Sequence, residues 1–165
     1  MIEAMKEFFI NTFGAKLGVF FCSMLPIIEL RGSIPLGTAL GLEWYMNYII
    51  SILGNLLPVP FILLLIGKII ELMKKTKAFS GIAEWLERKA EKNRGKLENG
   101  VFIGLMLFVA IPLPGTGAWT GALLAALMDI KPIKAFAAIA LGVLIAGAIM
   151  TLASYGVLGF LKIFI

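Results

Sequence analysis

Two apolar stretches of this chain are too short to cross a bilayer, and each runs into a cluster of charged or helix-breaking residues. Leu17 to Ile28 supplies twelve residues before Glu29-Leu-Arg-Gly-Ser-Ile-Pro35, and Val101 to Ile111 supplies eleven before Pro112-Leu-Pro-Gly-Thr-Gly117. Crossing the hydrocarbon core takes roughly 20 apolar residues. Neither stretch spans by itself, and non-helical backbone at membrane depth survives only when buried in protein or lining a wet cavity.

The membrane assignment comes from composition: 60% of the residues are apolar, which leaves too little polar surface for a soluble globule. The chain is expected to be an all-α integral membrane protein forming a single membrane domain over residues 1–165. Its formal charge of +5 is not a nucleic-acid signal, because nine of the fifteen Lys and Arg residues lie between Lys68 and Lys96. Basic loops stay on the cytoplasmic side, so segment 68–99 reads as a cytoplasmic linker, with anionic headgroups of the lipid bilayer as its partner. Phe79, Ile82, Trp85 and Leu86 among alternating charges make it an amphipathic surface helix. Residues 1–16 mix charges with Phe8, Phe9 and Phe13 and lack a cleavage site, so they read as a retained interfacial helix.

Cys22 is the only cysteine and the chain has no histidine. No internal disulfide, zinc site, Ser-His-Asp triad or histidine relay is expected, and no metal or cofactor. No nucleophile and base occur together, so the chain is not expected to be an enzyme.

A weak internal repeat organises the rest. Gly18-Val-Phe20 matches Gly100-Val-Phe102, Met24-Leu25 matches Met106-Leu107, and Leu53-Gly54 matches Leu141-Gly142. Each half has a short apolar piece, a break, a second short piece, an acidic residue (Glu43 or Asp129) and a long apolar helix. We expect repeat 1 over residues 17–67 and repeat 2 over 100–165, each a re-entrant helical hairpin plus a transmembrane helix. The half-helices are Leu17–Ile28 with Ile34–Leu42, and Val101–Ile111 with Ala118–Met128. The spans are Trp44–Ile66, kinked at Pro58-Val-Pro60, and Lys134–Tyr155, followed by a tail from Gly156 that either continues the helix or lies at the interface. A hairpin returns to its side of origin and a span does not, so the halves come out inverted, with their tips face to face. The plainer alternative has Phe8–Ile28 as one span and Val101–Met128 as one proline-kinked helix.

Glu29 and Arg31 are oppositely charged residues in an apolar window. Charge at the bilayer centre costs at least about 2.5 kcal/mol per residue, so a pair there suits a substrate or proton site. The alternative is a pair that caps an ordinary loop in water. In the second break Thr116, Trp119 and Thr120 accompany the amides that open the helix from Ala118. A helix N-terminus attracts anions. The amides near Ser33 add a second such end, so that with Arg31 a phosphate or carboxylate would be held. Trp119 would stack on an organic cation or serve only in packing. Small residues such as Ala137, Ala140, Gly142 and Gly147 mark the last span as a packing helix, with a homodimer as a further expectation.

With Glu29-Leu-Arg-Gly-Ser-Ile-Pro35 in one half and Ile111-Pro-Leu-Pro-Gly-Thr-Gly-Ala-Trp119-Thr-Gly121 in the other, the chain resembles the small multi-drug export protein family, and more widely the DedA superfamily. The resemblance implies paired re-entrant loops, with Glu29, Arg31 and Pro35 on the first and Pro112, Pro114, Gly115, Thr116 and Gly117 on the second. It implies a multi-pass protein of the cell's inner (plasma) membrane. The function expected is secondary transport of small or amphipathic compounds through a midplane site, coupled to protons; the alternative is lipid or lipid-carrier flipping or scrambling. DedA proteins carry an arginine in the second loop region, whereas this chain has none between Arg94 and Lys131.

Overall fold

A computed structural model describes residues 14–65, 98–113 and 115–164, excepting the side chains of 98, 99 and 157–164. The expectations for residues 1–13, for the linker from 68 to 97 and for Pro114 lie outside the described residues. Within them, all regular structure is helical: α1 (Gly14–Met24), α2 (Glu29–Ala39), α3 (Trp44–Leu65), α4 (Glu98–Ala110), α5 (Ala118–Leu127) and α6 (Pro132–Phe164).

Helix length sorts these elements into two kinds. α3 has 22 residues, and α6 has 25 up to Gly156. At about 1.5 Å per residue both exceed a hydrocarbon core of roughly 30 Å. α2, α4 and α5 have only 11, 13 and 10 residues, reaching about half to two-thirds of that depth. The tail after Gly156 continues α6 rather than leaving it. Regular helix in α3 is interrupted for one residue at Leu57, whose own amide still bonds Leu53 O at 3.1 Å, because Pro58 and Pro60 bring no amide to the carbonyls one turn back.

The second break falls where the breakers are, between Ala110 and Ala118, but the first does not. α1 ends at Met24, and the turn is Leu25 to Ile28, closed by the Ile28 and Glu29 amides donating to Leu25 O at 3.2 and 2.9 Å. Pro26 fixes this position, since it lacks an N–H and pushes the preceding Leu25 out of helical geometry. Glu29 to Pro35, expected to separate Leu17–Ile28 from Ile34–Leu42, is instead the body of α2, with Pro35 inside the helix. One missing hydrogen bond is tolerated there because α2 packs along both α3 and α6. Ser33 consequently has no free half-helix start beside it.

α6 is the common wall, packed against α2, α3, α4 and α5. It runs opposite to α3: Tyr155 meets Asn47 and Leu42 at the start of α3, while Gly147 lies against Ile52 further along. With lipid outside, apolar surface gives helices little reason to associate, and close backbone approach over small residues takes its place. Gly54 and Gly142 show this twice. A Cβ on Gly54 would strike the Phe20 carbonyl and the Ser23 Cβ, and one on Gly142 would strike the Met106 carbonyl and the Val109 Cβ. In both cases the obstacles come from residues n and n+3 of a short helix. Ala118, Ala122 and Ala125 line a fully buried face of α5. Outward-facing positions carry large apolar side chains, such as Phe61 at 68% and Leu152 at 76% exposure. Ser23, Ser33, Asn47 and Ser51 are wholly buried.

Candidate functional site

The two breaks meet, and they do so through groups of opposite character. Glu29 opens α2 in a left-handed conformation, φ 48°, a strained choice for a side chain of this size, costing about 1–3 kcal/mol. It is 5% exposed. Its Oε1 accepts the Trp119 N–H at 3.2 Å, one of the amides that the first turn of α5 leaves without a helical partner. Gly117 is the N-cap of α5, with φ 146°. Any Cβ there would collide with the Glu29 carboxylate. A carboxylate from α2 therefore caps α5, set against the positive end of its dipole, and only glycine lets it come so near.

Arg31, two residues further along α2, reaches the loop before α5. Its guanidinium donates to Leu113 O and, at 2.7 Å, to Thr116 Oγ1. The loop is folded to receive it. Pro112 centres a three-residue turn closed by Leu113 N–H on Ile111 O at 2.8 Å. The Thr116 hydroxyl lies 2.8 Å from Ile111 O and 2.9 Å from Leu113 O, able to donate to one while accepting from Arg31. A third link runs the other way: the Trp119 indole donates to Met24 O at 3.0 Å, a carbonyl left over where α1 stops. Charges from the first half thus satisfy backbone groups that the second half's break frees, and an indole from the second half satisfies one that the first break frees.

A family model described as "putative small multi-drug export protein" matches residues 29–149. The chain belongs to the small multi-drug export protein family. The match opens at Glu29, directly after the first break, and takes in the second. With the two bilayer-length apolar helices, it makes this a membrane protein of export type. No curated protein and no solved structure matches the chain.

In this small multi-drug export family member, five of the residues singled out by sequence come together: Glu29, Arg31, Thr116, Gly117 and Trp119. Pro112 shapes the receiving loop and Gly115 turns it, exposed, at φ 82°. Ser33 does not reach this clasp; it is buried against α3, with its hydroxyl 2.8 Å from Ser51 Oγ. Pro35 and Thr120 are exposed away from it. The Trp119 amide at the start of α5 is not open to an outside anion in this state, because Glu29 already occupies it, and Arg31 is spoken for by the loop. Trp119 is committed through both its backbone and indole N–H groups.

Sequence reading passed over a second polar feature. Asn47, Ser51 and Asn55 are each buried on α3 and spaced four apart, so they form one stripe. Three amide or hydroxyl side chains at helical spacing inside an otherwise apolar span were visible in the sequence as a signal. Pro26, which sets the first break, was equally visible.

Proposed function

We propose that the clasp is the midplane site of a secondary transporter that exports small or amphipathic compounds, and that protonation of Glu29 works it. In this reading α1–α2 and α4–α5 are re-entrant hairpins of two inverted repeats. Their short helices, the opposite senses of α3 and α6, and the repeated Gly54 and Gly142 contacts support it. With the Lys68 to Glu98 linker in the cytoplasm of a cell bounded by its inner membrane, the first hairpin enters from outside and the second from inside. The protein is a carrier, not an enzyme.

The observation that carries this is the Glu29 carboxylate capping α5 from another helix. Ionised, it is held by the helix dipole and the Trp119 amide. Protonated, it loses most of that attraction, and Gly117 to Trp119 are released together with their amides. A cationic substrate group and a proton then compete for one carboxylate, that of Glu29, which is the elementary requirement for exchange. The test uses purified protein in liposomes with an imposed pH gradient and the cationic dye ethidium. Wild-type protein moves the dye in a gradient-dependent way and Glu29→Gln does not; a Glu29→Gln protein with unaltered transport and pH dependence rules out the role.

A second reading draws on the half-exposed Arg31 beside a helix N-terminus, the chemistry that also binds phosphate headgroups. It is a lipid or lipid-carrier flippase or scramblase of the DedA type. Labelled lipid equilibrating between leaflets without any gradient, with no ethidium movement, favours this second reading.

A further inference from the structure

We propose that Asn55 is a ligand-binding residue at the inner end of a one-sided polar track, along which water and the uncharged hydrogen-bonding groups of a solute reach Glu29 from the face carrying the Leu40–Glu43 turn. Asn55 is 1% exposed, yet among the described residues neither its amide nitrogen nor its amide oxygen has a hydrogen-bond partner. A buried primary amide without partners is costly in an apolar interior, and its donors and acceptor remain available to a ligand.

Its place in the fold says what it would serve. α2 lies antiparallel to α3: Asn47 Nδ2 donates to Ile34 O at 2.7 Å, and Ser33 Oγ lies 2.8 Å from Ser51 Oγ. One turn further in the same register puts Asn55 level with Glu29. Outward from Asn55 the same stripe continues as Ser51, whose carbonyl accepts the Ser23 hydroxyl at 2.5 Å. Next come Asn47, with Oδ1 3.5 Å from Ser51 Oγ, and the Tyr155 hydroxyl, 3.0 Å from Asn47 Nδ2. That hydroxyl donates to Leu42 O at 2.6 Å, at the turn before α3. The track holds no ionisable carboxylate, amine or guanidinium between Asn55 and Leu42, so it suits water, hydroxyl and amide groups rather than a bare ion.

Among the described residues, the second half has no such track. Gly142 stands 88 residues after Gly54 in an equivalent contact, and the same offset carries Ser33, Asn47, Ser51 and Asn55 to Gly121, Ala135, Ile139 and Val143. A Cβ on Gly121 would meet the Val109 and Ile139 side chains, the apolar counterpart of the Ser23, Ser33 and Ser51 junction. Polar access is thereby confined to one side of the clasp, the face opposite the Lys- and Arg-rich linker.

The word "solute" rests on the carrier reading; the track itself rests on geometry. Single cysteines are introduced into a Cys22→Ala background in oriented membranes and exposed to a small impermeant methanethiosulfonate reagent. Ser51→Cys and Asn55→Cys react from the face opposite the linker, whereas Ile139→Cys and Val143→Cys do not. Equal reaction at all four positions, reaction from the linker face, or no reaction at Ser51→Cys and Asn55→Cys in protein that runs as one species on gel filtration overturns the track. Asn55→Leu supplies the second arm. Removing an unpartnered amide raises the melting temperature while ethidium transport falls by about tenfold, the worth of one or two hydrogen bonds. A lowered melting temperature with unchanged transport makes Asn55 structural and overturns its binding role. One-sided labelling in a protein that moves no ethidium upholds the track and sinks the carrier reading alone.

Discussion

The two halves of this molecule share a packing scheme and differ in what they put inside it. Around Gly54 the first half buries Ser23, Ser33, Asn47, Ser51 and Asn55; around Gly142 the second buries Val109, Ala135, Ile139 and Val143. The same division holds at the tips. The first half brings a carboxylate and a guanidinium, and the second brings a glycine, a threonine and unpaired backbone. Neither tip is satisfied alone in an apolar medium, so each half supplies what the other lacks. One half carries the side-chain chemistry and the other carries the backbone that receives it.

The strongest way to break that division is to take the receiving surface away. Gly117→Ala puts a methyl group into the Glu29 carboxylate at a φ of 146°; it is expected to destabilise by roughly 2–4 kcal/mol, read as a lower melting temperature in detergent, and to abolish transport. Gly115→Ala, at φ 82° but with nothing near the added Cβ, costs only backbone strain, about 1 kcal/mol. Next comes the donor side. Arg31→Lys keeps the charge but cannot hold Leu113 O and Thr116 Oγ1 together, a loss of about 1–2 kcal/mol. A double-mutant cycle of Arg31→Ala with Thr116→Val is expected to give a coupling of about 1 kcal/mol or more, and additive effects would show that the contact contributes nothing. Inside the halves, Ser51→Ala removes the hydroxyl that partners Ser33 and Asn47 and costs about 1 kcal/mol, while Ile139→Val at the matched position costs a similar amount through packing alone. Only the first of these two should alter transport. Smallest of all, Thr120→Ala, exposed and outside the clasp, stays within about 0.5 kcal/mol of wild type.

Much of this arrangement was legible in the sequence because helix length in lipid is a hard constraint. Pieces of eleven or twelve apolar residues pointed to broken helices over continuous spans, and α4 and α5 lie within a few residues of their expected bounds. Pro112, Gly115 and Gly117 crowd so many breakers together that the second break could fall nowhere else. The first break was misplaced because charge was taken for a breaker. Glu29 and Arg31 are compatible with a helix; Pro26 is the residue that stops α1, and Pro35 is absorbed in α2 by packing on two neighbours. The identities of the clasp residues were readable, but not their pairing. That an α2 carboxylate caps α5 depends on how two helices ninety residues apart in sequence come together. The Asn47, Ser51 and Asn55 stripe had a readable period and was overlooked among apolar neighbours.

The claim everything turns on is that the two breaks touch inside the bilayer. It is tested most directly by pairing Arg31→Cys with Thr116→Cys in a Cys22→Ala background, in liposomes, and treating with a short membrane-permeant bis-methanethiosulfonate cross-linker. The expected result is efficient cross-linking within single chains, absent when Thr116→Cys is replaced by Met128→Cys at the far end of α5. Failure of the Arg31→Cys and Thr116→Cys pair to join, although each reacts singly with a permeant thiol reagent, would contradict the clasp and with it the shared site.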